Sequence, residues 1–245
     1  MMAPFEYTGL GLPIPETMRT AHRRAWQRLA SPGAWWTGAE RVAIAAETRA
    51  ARGCALCRER KAALSPAAAR GEHARVSTLT APAVDAAHRI AGDPARLSRS
   101  WCEQILATGL SDGQYVELVG IVTTIVNLDA LHRALGVAPE PLPEPLAGEP
   151  SRRRPATRPE GAWVPLLAPS APEAAALFAG RPRVPNVARA LSLVPDAVVQ
   201  LHELSEVHYL PMDDVVDPRA RGRRLTRPQM ELVAGRVSAL NECFY

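Results

Sequence analysis

The sequence predicts an all-α fold, and three observations carry that expectation. Phe, Trp and Tyr make up only 5% of the 245 residues, while Ala, Leu, Val and Arg abound; such a composition favours helices over aromatic-rich strands. Apolar residues recur at helical spacing, as in Met18, Ala21, Ala25, Trp26 and Leu29. Three segments open with capping-box pairs, Thr37–Glu40, Ser111–Gln114 and Thr226–Gln229, in which each partner satisfies an orphan amide of the first turn. With 47% hydrophobic and 22% charged residues, the chain has a globular composition and the length for one large domain or two small ones.

The elements follow in order. Glu16–Ala30 reads as an amphipathic helix stopped by Pro32 and Gly33. A second helix begins at Thr37 and runs to about Arg52, where Gly53 breaks it just before Cys54. Residues 54–63 start another helix with the cysteines in its first turn, and 65–80 are polar and irregular. Helical segments return at 82–91 and 94–108, the latter stopped by Gly109. The stretch after Ser111 is the most apolar of the chain; its β-branched run could form a strand, but the cap at one end and Gly136 at the other predict a buried helix. From Pro139 to Pro159 there are seven prolines and the run Arg152–Arg154, which predicts a polyproline-like linker or solvated arm that does not pack. Beyond it, 185–193, 195–209 and a segment capped by Thr226 read as helices.

No run of 18 or more apolar residues and no basic leader followed by an apolar stretch occurs, so neither a membrane span nor a secretory signal is expected. The net charge of +4 reflects an arginine-rich composition of the kind a GC-rich genome gives; a nucleic-acid partner is not expected. Four cysteines, Cys54, Cys57, Cys102 and Cys243, are too few for a disulfide scaffold in a chain of this length. The expected compartment is the reducing cytoplasm.

Only Cys54-Ala-Leu-Cys57 can act as a unit. A thiol at a helix N-terminus is acidified by the helix dipole, and a thiolate that attacks a peroxide becomes a sulfenic acid its neighbour can resolve as a disulfide. The same spacing also suits half of a zinc site, which Cys102 and one of His73 or His88 would complete, or two small core residues. Spacing alone leaves these three open.

Glu40-Arg-Val-Ala-Ile-Ala-Ala followed by Cys54-Ala-Leu-Cys57 resembles the motif region of the alkylhydroperoxidase D/carboxymuconolactone decarboxylase superfamily. So does Thr226-Arg-Pro-Gln-Met-Glu231 with Ser238-Ala-Leu-Asn241-Glu-Cys243, and Gly109–Gly136 is similar to the long closing helix of that fold. The resemblance implies an alkylhydroperoxidase D-like helical unit over 1–137, a Pro/Arg-rich linker over 138–162, and a second unit over 163–245 cut off within its motif. It further implies peroxide reduction, or related thiol–disulfide exchange, by a cysteine pair that a dithiol reductant regenerates. A symmetric homo-oligomer is expected, and neither a cofactor nor a metal is called for.

The peroxidase motif E-x11-C-x2-C-x3-H is met unequally. Glu40 lies 14 residues before Cys54 rather than 12, and Lys61 stands where the histidine belongs. Glu47 is the alternative relay carboxylate, since Glu40 already serves the capping box; His88 and His132 are the candidate bases. In the second half Glu231 lies 12 residues before Cys243, yet the second cysteine and the histidine are missing. Some relatives carry selenocysteine at that next position, so a reading frame ended at a selenocysteine codon is expected, and the second motif as written is inactive. A non-redox member of the superfamily and a zinc-stabilised basic binding module are the alternatives.

Overall fold

In a computed structural model, residues 4–178, 184–215, 217, 219, 224–241 and 243 are described. Helix α1 (Glu16–Ala30) turns at Pro32–Gly33 into α2 (Gly38–Ala50), whose start is the expected capping box: the Glu40 carboxylate accepts from the Thr37 amide and hydroxyl, both at 2.8 Å. Short α3 (Ala55–Ala62) follows, then an irregular stretch holding one 3₁₀ turn, and α4 (Ala81–Gly92). Next come α5 (Arg99–Ala107) and the long α6 (Asp112–Ala134), opened by the Ser111–Gln114 box. Over 94–108 the expected helix is split. Pro94–Arg96 forms a separate 3₁₀ turn, and Ser98, whose hydroxyl accepts from the Trp101 amide at 3.2 Å, caps a new start.

Helices α2, α4 and α6 pack mutually and form the centre of the fold. The side chains of Leu118, Val122, Ile125 and Leu128 from α6 meet Ile44 and Ala45 from α2 and Ala83, Val84 and Ala87 from α4, all buried. Each large aliphatic side chain buried there contributes roughly 1.5–3 kcal/mol, which is why the β-branched run of α6 stays helical: a two-residue-period strand could not face three helices at once. By length and composition α6 could also cross a membrane; here most of it is enclosed by protein.

Beyond α6, β1 (Thr157–Arg158) and β2 (Leu166–Leu167) pair antiparallel, and α7 (Pro172–Phe178), α8 (Asn186–Arg189), α9 (Pro195–His208), α10 (Met212–Val215) and α11 (Arg227–Leu240) complete the order. The described residues are mostly helical, so the chain is all-α. The helix expected over 185–193 is confined to α8, because Leu191, Leu193 and Val194 leave helical geometry and sink into the core. Val198 and Leu204 of α9 join the same core, with α9 lying against α1 and α6. Helix α11 buries none of its side chains and leaves Leu232, Val233, Val237 and Leu240 exposed.

The proline-rich segment differs from the expected free arm. It lies as a strap over α1 and the α1–α2 turn. Trp26 Nε1 donates to the Pro141 carbonyl and the Leu146 amide donates to the Ala30 carbonyl, both at 2.8 Å, while the Arg152 amide donates to the Ala34 carbonyl at 2.8 Å. A chain with so few amide protons has few to satisfy, and it spends the remaining ones on the body. Gly38 makes this possible: a Cβ there would stand 2.6 Å from the Leu146 carbonyl oxygen and 2.2 Å from that of Ala30. The arginine run is docked as well, Arg154 on Asp112 at 2.6 Å and Arg153 on Glu173 at 2.6 Å.

A second polar feature crosses the N-terminal side of the core. The Tyr7 hydroxyl donates to His22 Nδ1 at 2.7 Å, His22 Nε2 meets His208 Nε2 at 2.7 Å, and His208 Nδ1 donates to Asn127 Oδ1 at 2.8 Å. Phe5 stacks edge-on against His22, Trp26 and His132 around this chain. Every link joins neutral groups. Burial and the neighbouring His208 hold the His22 imidazole down to about 3, and burial lowers that of His208.

Candidate functional site

The site grows from the break after α2. Residues 51–53 turn the chain, and Cys54 becomes the N-cap residue of α3 with φ −68° and ψ 126°. Its Sγ therefore faces the free amides of the first turn, the Cys57 amide among them, and Cys57 lies one turn on. Burial pushes the Cys54 thiol up, but the amides of Cys57 and Ala74, then His73, outweigh it and bring it down to about 6. Cys57 goes the other way, to about 12, first through burial and then through the neighbouring Cys54 sulfur. The pair thus carries one negative charge and one proton near neutrality. Cys54 is enclosed and Cys57 partly exposed.

Two histidines close over the thiols. His73, from the irregular stretch before α4, places Nδ1 3.5 Å from both Cys54 Sγ and Cys57 Sγ. His88, buried on α4, places Nδ1 3.4 Å from Cys57 Sγ. Each imidazole is oriented from behind by a carboxylate. His73 Nε2 is 2.9 Å from Asp85 Oδ1, and His88 Nε2 is 2.9 Å from Glu47 Oε2. His88 Nε2 donates to the Glu47 carboxylate, so its Nδ1 lone pair faces Cys57 Sγ, whereas His73 Nε2 stands between Asp85 Oδ1 and Arg60 Nη1 (3.1 Å) with Nδ1 facing both sulfurs. Asp85 also accepts from Arg60 at 2.6 Å and from Trp101 Nε1 at 3.2 Å. Burial raises its carboxyl, but these donors together with His73 hold it well below the carboxylate range. Glu47 is likewise raised by burial and lowered more by Ser77 (2.5 Å), His88 and the Val76 amide. For His73, burial lowers the imidazole, while Asp85 and Cys54 raise it above its ordinary value overall.

Of the expected site residues, Cys54, Cys57 and Glu47 come together here. Glu40 does not: both Thr37 donors occupy its carboxylate at the far end of α2. Glu231 is exposed on α11, bound by Arg227 and the Tyr209 hydroxyl, and Cys243 is exposed, its amide donating to the Ser238 carbonyl at 2.9 Å. Phe244 and Tyr245 lie outside the described residues, as does Glu242. Lys61 faces solvent, and Arg60 supplies the cation near the thiols instead. His132 donates Nδ1–H to the Leu128 carbonyl in the core, so of the two histidines expected as bases only His88 lies beside the pair. Cys102 is a buried core residue, raised by burial and in contact with Tyr115 rather than with the other cysteines. The ligand set expected for zinc is thereby corrected: His73 and His88 converge together, without Cys102. Asp85 and Arg60 were not foreseen from the sequence. The spacing Asp85-x-x-His88 on one helix face was the available signal.

Comparison with protein-family models, with curated proteins and with solved structures returned no match to this chain.

Proposed function

We propose that the chain is a thiol-dependent reductase of small peroxides, in keeping with an alkylhydroperoxidase D-like protein, and that Cys54 and Cys57 are its redox pair. The observation that supports this reading is the convergence of both thiols on His73, with the His88–Glu47 pair set behind Cys57 alone.

Cys57 is the accessible thiol and stands against an imidazole with a free lone pair. His88 takes its proton, and Glu47 stabilises the imidazolium that forms. The Cys57 thiolate attacks the outer peroxide oxygen, the O–O bond breaks, and the alkoxide leaves with the proton returned by His88, which gives an alcohol and the Cys57 sulfenic acid. The Cys54 thiolate, held at the α3 N-terminus, then attacks the Cys57 sulfur. The hydroxyl departs as water with a proton from the His73–Asp85 side, and the disulfide forms. A dithiol restores the pair by exchange.

Peroxide treatment of the reduced protein should yield one intramolecular Cys54–Cys57 disulfide, read by mass spectrometry of the peptide map. In Cys54→Ser a sulfenic acid should be trapped on Cys57 by dimedone, and Cys57→Ser should trap none. Cys102→Ser should behave as the parent. No disulfide in the parent protein removes the reading, and trapping on Cys54 reverses the two roles.

A further inference from the structure

The four atoms that converge at the thiols also have the arrangement of a tetrahedral metal site. Cys54 Sγ, Cys57 Sγ, His73 Nδ1 and His88 Nδ1 all lie within 4.8 Å of one another. A zinc ion with bonds of about 2.3 Å to sulfur and about 2.0–2.1 Å to nitrogen sets tetrahedral S···N separations of about 3.5 Å. Three of the four S···N separations at the site are 3.5, 3.5 and 3.4 Å, and the fourth, Cys54 Sγ to His88 Nδ1, is within 4.8 Å. The two imidazole rings lie 4.3 Å apart centre to centre, tilted by 51°. Behind them stand Asp85 and Glu47, each 2.9 Å from an Nε2, the carboxylate–histidine support that orients a ligating imidazole.

We infer that the reduced site binds one Zn²⁺ through Cys54, Cys57, His73 and His88, and that oxidation of the cysteine pair releases it. Four protein ligands leave no open position, so the ion protects the thiols and does not serve as a Lewis acid. It replaces the thiol protons, and any proton on His73, so its uptake releases protons. Release balances as two zinc-bound thiolates, one peroxide and two protons giving a disulfide, an alcohol, water and free Zn²⁺. The release half rests on the thiol chemistry proposed above. The binding half rests on the donor set alone.

The test uses the full chain, reduced and stripped of metal, then titrated with zinc alone and separately with cobalt(II). One equivalent should bind with proton release, and the cobalt form should show the spectrum of a tetrahedral ion with two thiolate ligands. Asp85→Asn should weaken zinc by roughly 10- to 100-fold through loss of orientation, and Cys54→Ser or His73→Asn should weaken it more. Cys102→Ser and Cys243→Ser should bind as the parent does. Peroxide should then free one zinc per disulfide, read by a chromogenic chelator. A reduced chain that forms the disulfide yet takes up no zinc overturns this inference and leaves the peroxidase reading intact. Zinc that stays bound through disulfide formation overturns release. Tight zinc binding by a chain whose stripped thiols never form a disulfide overturns the peroxidase reading, and the release half with it, while binding stands.

Discussion

The molecule buries two histidine clusters, and they differ in what stands behind the rings. At the thiols each imidazole is backed by a carboxylate, Asp85 behind His73 and Glu47 behind His88. Across the core, His22 and His208 are backed by Tyr7 and Asn127, which carry no charge. The consequence is opposite in sign. His73 is raised above its ordinary value, whereas His22 is driven down to about 3. Burial alone cannot be the cause, because it lowers both. A carboxylate within hydrogen-bond reach turns a buried imidazole into a proton carrier, and a neutral partner leaves it a structural hydrogen-bonding unit.

The largest effect that could break this contrast is on Glu47. Glu47→Ala removes the acceptor of three donors, buried His88 and the partly buried Ser77 hydroxyl and Val76 amide, and should cost about 3–5 kcal/mol in urea unfolding. A loss below about 1 kcal/mol would mean that this carboxylate does not organise the site. Next in size is the pH profile of the other cluster. His22 binds a proton at about 6.5 when unfolded but at about 3 when folded, so its contribution is complete above pH 6.5 and is lost as pH falls. Stability should drop by about 1.4 kcal/mol per pH unit below that point. The depressed carboxylates add their own loss of the same sign only below about pH 4.5. His208, lowered in the same direction, adds to that slope, so His22→Gln should make the profile shallower between those values, and an unchanged slope would reassign it. The smallest effect is expected on α11. Glu231→Gln and Cys243→Ser should each change stability by less than about 0.5 kcal/mol and leave peroxide-driven disulfide formation at the parent rate. A slowed reaction in either variant would bring the second motif back into the chemistry.

The helices and their caps were legible because they are local. Thr37–Glu40, Ser111–Gln114 and Thr226–Gln229 need only residues three apart, and all three form. The cysteine pair was legible for the same reason. What escaped was the pairing set by packing across the chain. His73 and Asp85 meet only because the irregular stretch folds back onto α4, and Glu47 meets His88 because α2 packs on α4. The expected motif spacing put Lys61 where a histidine was looked for, while the histidines beside the thiols come from the stretch before α4 and from α4 itself. The strap was misread for a related reason: proline content reports how little hydrogen bonding a segment needs, not whether a body lies beneath it.

Helix α3 sinks only Leu56, and Cys54, Leu56 and Ala69 form a small apolar cluster of their own, apart from the main core. What ties this corner to the rest is largely polar: Arg60 on Asp85, and Arg96 reaching the carbonyls of Ala63 and Arg60 at 2.7 and 2.6 Å. Such a corner is expected to open as a separate unit, at a lower free energy than the body. Amide protons of α3 should therefore exchange with solvent deuterium well before those of α6. If Cys54 and Cys57 form the proposed disulfide, local opening of this corner would admit a bulky reductant without unfolding the rest of the protein.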